Sequence, residues 1–183
     1  MKIHLFSADY NGKIYRIHKR FGFLLEYTTH VKSKVELTPK IKIFLHQVHN
    51  PYLLKPFCEF PNNNIIPKPP FYTKILAKVL TFFCLRSFLF VRLLSNFRFP
   101  IFDSTAQAVL YFRKLYPKEQ NNLCLPRSLF AACTSKTFKD EGALFIGVFL
   151  PSRAMHAWIL ENGKQPDYYD DIWICYQPVA VIY

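Results

Sequence analysis

Cys124, His156 and Asp167 are the residues of this chain whose types, order and surroundings point to chemistry. Cys124 sits in the run Asn-Asn-Leu-Cys-Leu-Pro-Arg-Ser-Leu-Phe-Ala-Ala-Cys, residues 121–133. Leu125, Leu129, Ala132 and Cys133 recur there at helical spacing, and Pro126 suits a first turn, where the N–H it lacks would go unpaired anyway. A helix therefore starts at or beside the thiol, with Asn122 as its expected N-cap. Unpaired N–H groups and the positive end of the helix dipole favour thiolate over thiol at that position, which makes Cys124 a candidate nucleophile.

Two apolar segments must bring the histidine to it. Residues 143–150 form a continuous apolar run, and residues 154–160 form a second one that carries His156 and Trp158. Asn162-Gly163 follows as a two-residue type I′ turn signal, so the chain is expected to run back antiparallel to the histidine strand and reach Asp167. An acid delivered in this way can fix the imidazole tautomer and stabilise the imidazolium while the other ring nitrogen faces the sulfur. The oxyanion of an acyl-transfer intermediate would be met by the backbone N–H of Cys124 and a second donor from Gln120, Asn121 or Asn122. Trp158 shares a strand face with His156 and is expected to wall the site.

Residues 122–132, 142–148 and 154–163 resemble the maturation proteases of lasso peptide biosynthesis, the lasso B proteins. The resemblance spans roughly residues 104–183, where the cysteine-helix motif and the His-Ala-Trp motif stand in that family's order and spacing. It implies an α+β fold, with a transglutaminase-like or papain-like cysteine protease domain. It implies that Cys124 is the nucleophile, His156 the general base and then acid, and Asp167 the orienting acid, with Asp170 the next acid along. It also implies a reaction: removal of the leader from a ribosomally made precursor peptide, after which a partner cyclase, a macrolactam synthetase, closes the ring. No cofactor is expected on this chain. Any ATP requirement is assigned to the partner cyclase, because the Gly142–Gly147 glycine spacing lacks the Lys-Ser/Thr of a phosphate loop.

Charge divides the chain. Residues 1–100 hold 16 Lys+Arg against 4 Asp+Glu, whereas residues 101–183 hold 8 of each, so the whole net charge of +12 lies in the front half. Such a half suits an acidic peptide or an anionic surface. Residues 2–27 read as a meander of three short strands with turns at Asn11-Gly12 and Arg20–Gly22, and Thr38-Pro39 opens a helix. By layout and position this is similar to the leader-recognition element found in pathways of this kind. The expected domains are therefore a recognition module at 1–60, a Pro/Asn-rich linker at 61–70 and the protease at 71–183.

Residues 71–94 are strongly apolar but carry Lys74, Lys78, Arg86 and Arg92. The longest uncharged run is far below the ~20 residues of a spanning helix, so the segment reads as one amphipathic helix. It is expected to pack on the protease core, and a membrane-surface or partner-docking role is the alternative. Five cysteines without paired spacing, and no apolar N-terminal leader, suggest a reduced, cytoplasmic protein. Cys133, nine residues after Cys124, points the opposite way on the helix, and Cys58, Cys84 and Cys175 lie in apolar sequence without assigned chemistry. His46 and His49 lack a third ligand at metal-binding spacing. Two other functions use the same features: acyl transfer to an amine instead of water, and non-catalytic binding of a membrane surface or, less in keeping with the sequence, of nucleic acid.

Overall fold

The computed structural model describes residues 1–11, 13–17, 25–28, 68–117, 122–150, 152–167 and 175–183. The expected helix after Thr38, most of the linker, His46, His49 and Cys58 lie outside these residues, as do Gln120, Asn121 and Asp170.

The fold is α+β. Four antiparallel strands form the main sheet: β1 (Ile3–Leu5), β5 (Gly142–Phe149), β6 (Ala154–Glu161) and β7 (Gln177–Ile182), in the order β1-β7-β5-β6. β5 and β7 occupy the interior of the sheet, and their unbroken apolar runs match strands covered on both faces. β6 is an edge strand, paired to β5 in a register that sets His156 opposite Gly147 and Ala157 opposite Ile146. The turn after β6 is the expected one. Asn162 and Gly163 have φ of 51° and 72°, the two left-handed residues of a type I′ hairpin.

A second sheet has the order β2-β3-β4, from β2 (Ala8–Tyr10), β3 (Lys13–Ile17) and β4 (Leu25–Thr28). Asn11, φ 52°, opens the first turn as its Asn-Gly signal predicts. The meander expectation needs one correction. Ile3–Leu5 does not join this sheet; it pairs with the C-terminal strand, Leu5 against Ala180 and Ile3 against Ile182. Residues expected in a separate recognition module thus complete the main sheet, and Ala8 and Ile17 share its hydrophobic core.

Among the described residues the helices are α1 (Tyr72–Cys84), α2 (Phe88–Leu94), α3 (Thr105–Leu115), α4 (Cys124–Thr134) and the short α5 (Phe138–Glu141). The single helix expected over 71–94 is two. Ser87 breaks it by capping α2, its Oγ accepting from Leu89 N–H at 3.2 Å. Thr73, Ala77, Leu80, Cys84, Phe88 and Val91 form the stripe that packs inward. Ile75, Phe82, Leu85, Leu89 and Leu93 stay exposed beside Lys74, Lys78, Arg86 and Arg92. No helix among the described residues is long and apolar enough to cross a membrane. Ser104 caps α3, accepting from Gln107 N–H, while the Gln107 side chain accepts from Asp103 N–H, a reciprocal cap just ahead of an apolar run.

α4 is the central helix. Every residue from Leu125 to Thr134 is buried, against α1 and α3 on one side and β5 and β6 on the other. A helix covered all round needs apolar residues all round. Arg127 is its only charged side chain, which raises the question of what neutralises it.

Candidate active site

Cys124 is the first residue of α4, as its sequence context predicts, and Pro126 falls in the first turn. The cap differs from expectation. Leu123, not Asn122, holds the cap position, and no side chain caps the helix among the described residues. The first intrahelical bond is Arg127 N–H to Leu123 C=O at 2.9 Å. Pro126 has no N–H, so the Cys124 and Leu125 N–H groups at the thiol remain for an anion formed there.

The strand side is built by Ala157. Among the described residues β6 is at the edge of its sheet, and α4 takes the outward backbone groups of Ala157. Ser128 Oγ donates to its C=O at 3.2 Å, and its N–H bonds to the Cys124 sulfur. Cys124 and Ser128 are four residues apart, hence on one face of the helix. This double attachment sets the register of helix against strand and brings the imidazole of the preceding residue, His156, into hydrogen bond with the Cys124 thiol.

The ring of His156 is held from behind. It stacks 6.2 Å from Trp158 at an interplanar angle of 14° and lies 5.1 Å from Tyr176. Trp158 in turn stacks 5.5 Å from Phe145. Trp158 therefore backs the imidazole and does not line the cavity. Gly147 permits this closeness: a Cβ there would come within 2.7 Å of the Trp158 ring and 2.9 Å of Tyr176. Its absent side chain serves aromatic packing behind His156.

Electrostatics select this thiol. Burial pushes the Cys124 pKa up, but the His156 hydrogen bond and charge, the Ala157 N–H and the charge of Arg127 pull it down further, so it lies below the ordinary thiol value. Cys84 and Cys133, buried without such donors, are both pushed up to about 12.

Asp167, expected to orient His156, has two further partners that the sequence did not indicate. Its carboxylate is buried between two guanidinium groups. Arg113 donates Nε to Oδ1 and Nη2 to Oδ2, both at 2.9 Å, and Arg127 Nε lies 2.7 Å from Oδ2. All three side chains are under a tenth exposed. The counter-ion of the lone charge on α4 is thus Asp167, which ties the segment after the hairpin to both α3 and α4. Within this trio, the charge of Arg127 is the one that acts on the Cys124 sulfur and favours the thiolate. The expected return strand is also shorter than its turn suggested. Its ladder ends at the bridge between Glu161 and Lys164, two residues before Pro166, which has no N–H to donate.

Sequence reasoning missed Arg113, Arg127, Tyr176 and the Ala157 backbone. Arg127 could have been found, because a cation inside an otherwise apolar helix requires an acid nearby. The others depend on which strands meet.

A cavity of about 290 Å³ opens at the thiol, lined by Leu85, Asn122, Cys124, Leu125, Ile146, Met155, His156 and Ala157. Of the three oxyanion-donor candidates, Asn122 lines it; the other two lie outside the described residues. Among the described residues no cluster of three His, Cys, Asp or Glu is placed to hold a metal. A thiol polarised by an imidazole, at a helix start and beside an open cavity, has the parts for nucleophilic acyl transfer. No protein-family profile matches the chain, and neither does any curated protein or solved structure.

Proposed function

We propose that this chain is a cysteine peptidase that removes the leader from a ribosomally synthesised lasso peptide precursor and leaves the core for a partner macrolactam synthetase. The observation that carries the reading is the hydrogen bond between the Cys124 thiol and the His156 imidazole at the mouth of the cavity.

The steps follow from the groups in place. His156 takes the thiol proton, and the sulfur attacks the scissile carbonyl carbon, forming a C–S bond and a tetrahedral oxyanion. The Cys124 N–H, with Asn122 at the cavity wall as second donor, meets that oxyanion. The C–N bond breaks as His156 gives its proton to the leaving amine, which becomes the N-terminus of the core. His156 then takes a proton from water as the oxygen attacks the thioester carbon, the C–S bond breaks to release the leader as a carboxylic acid that ionises, and His156 returns its proton to the Cys124 sulfur. Asp167 acts by holding α4, and with it the nucleophile, through Arg127.

The test is incubation with precursor peptides encoded beside the gene, read by mass spectrometry. The wild-type protein is expected to release free core. Cys124→Ala is expected to lose at least about a thousandfold in rate while still binding the precursor. Cleavage that survives this substitution would end the peptidase reading. Product joined to an added amine, with no free acid, would establish amine acyl transfer in its place.

A further inference from the structure

The cavity at Cys124 has a composition that bears on its substrate. Apart from Asn122 and the two reacting residues, its walls are Leu85, Leu125, Ile146, Met155 and Ala157, with no charged side chain among them. Leu125 and Met155 are chain neighbours of Cys124 and His156, so the apolar lining starts at the reacting atoms themselves. Ile146 and Ala157 face each other across the β5–β6 ladder and form the floor, both almost fully buried. Leu85 comes from elsewhere. It ends α1, is 48% exposed and supplies the outer lip.

We propose that this cavity is the subsite for an apolar side chain on the acyl side of the scissile bond, with Leu85 as its specificity-determining lip. This rests on the peptidase reading of Cys124 and goes beyond it by naming the residue class the site accepts. The acyl group stays bonded to sulfur through both half-reactions, whereas the amine leaves. A pocket that contains the nucleophile must therefore shelter the acyl part until water arrives. A volume of about 290 Å³ lies at the foot of the roughly 300–1,000 Å³ typical of sites for whole small molecules, which fits a side chain and its flanking backbone. An aliphatic chain there removes apolar surface from water where it meets the apolar walls. A carboxylate or ammonium would lose its hydration and meet no counter-charge from the apolar walls Leu85, Leu125, Ile146, Met155 and Ala157. Met155 supplies a flexible wall that adjusts to branched or unbranched chains.

The experiment uses the full chain and peptidyl chloromethyl ketones that differ only in the residue next to the electrophile: Leu, Ala, Asp or Lys. Alkylation of Cys124 is followed by peptide mapping, and each rate is divided by the same protein's iodoacetamide rate, which measures thiol reactivity alone. The leucyl probe is expected to exceed the aspartyl and lysyl probes on the order of 10- to 100-fold, with alanyl between. Leu85→Gln, a neutral change at an exposed position, is expected to cut the normalised leucyl preference about fivefold. Equal normalised rates across the four probes overturn the subsite and leave the peptidase reading standing. A leucyl preference untouched by Leu85→Gln overturns the role of Leu85. Iodoacetamide that modifies Cys124 no faster than the thiols of the urea-unfolded chain brings down the peptidase reading, and the subsite with it.

Discussion

Helix α4 carries a thiol near each end, and the two differ in almost everything except their chemistry. Cys124 begins the helix, half-buried, with His156, the Ala157 N–H and Arg127 around its sulfur. Cys133 lies in the last turn, 1% exposed, its sulfur 3.6 Å from Leu94 C=O. One pKa is drawn down and the other pushed up to about 12. Burial alone acts in the same direction on both. Positive charge also reaches Cys133, from Arg98 and the N-terminus, without offsetting its burial. What sets Cys124 apart is the hydrogen bonds from His156 and Ala157, so reactivity here belongs to an environment and not to the residue type.

The contrast breaks first on alkylation. Iodoacetamide at neutral pH is expected to modify Cys124 in the native protein, while Cys133 reacts only through unfolding, slower by at least about 10³-fold. Comparable labelling of both, followed by peptide mass spectrometry, would erase the distinction. A sharper probe is His156→Gln, which removes the imidazole but keeps a polar side chain. Precursor cleavage is expected to fall about 10³-fold. The alkylation midpoint should also move to higher pH. The sign follows from the causes: with the histidine present the thiolate persists below the ordinary thiol range, and without it burial, the largest single influence, pushes the pKa up. A midpoint that stays in place would assign the depression to the helix and Arg127.

The smallest effect concerns the scaffold. Asp167→Asn removes the buried carboxylate that Arg113 and Arg127 share. Breaking such a pair costs roughly 3–5 kcal/mol, and the low end, about 3 kcal/mol, is expected because the amide keeps an acceptor oxygen. Urea unfolding measures it. A loss below about 1 kcal/mol would show that the clamp does not hold α4.

Legibility in the sequence followed the range of each interaction. The start of α4, the apolar runs of β5 and β6 and the Asn162-Gly163 turn rest on signals a few residues long, and each stands where those signals put it. The break at Ser87 was also local, a capping serine inside an apolar run, but the continuing helical period hid it. The pairing of Ile3–Leu5 with the C-terminal strand had no local signal, because either sheet accepts an alternating strand of that length. Asp167 was identified as a functional acid from its distance past the turn, yet its guanidinium partners lie 54 and 40 residues away in the chain, on two helices. Nothing near Asp167 names them.

The sequence by itself determined where α4 begins, that Cys124 opens it, that His156 stands on a strand next to a tight hairpin, and that the front half carries the positive charge. These follow from backbone propensities and composition, which act within a turn or two of chain. Tertiary structure decided which thiol is activated, which cations hold Asp167, which strand the N-terminus joins and what lines the cavity. Burial, hydrogen-bond partners and counter-charges arise only when distant segments pack, and those are the quantities that set a pKa and shape a pocket.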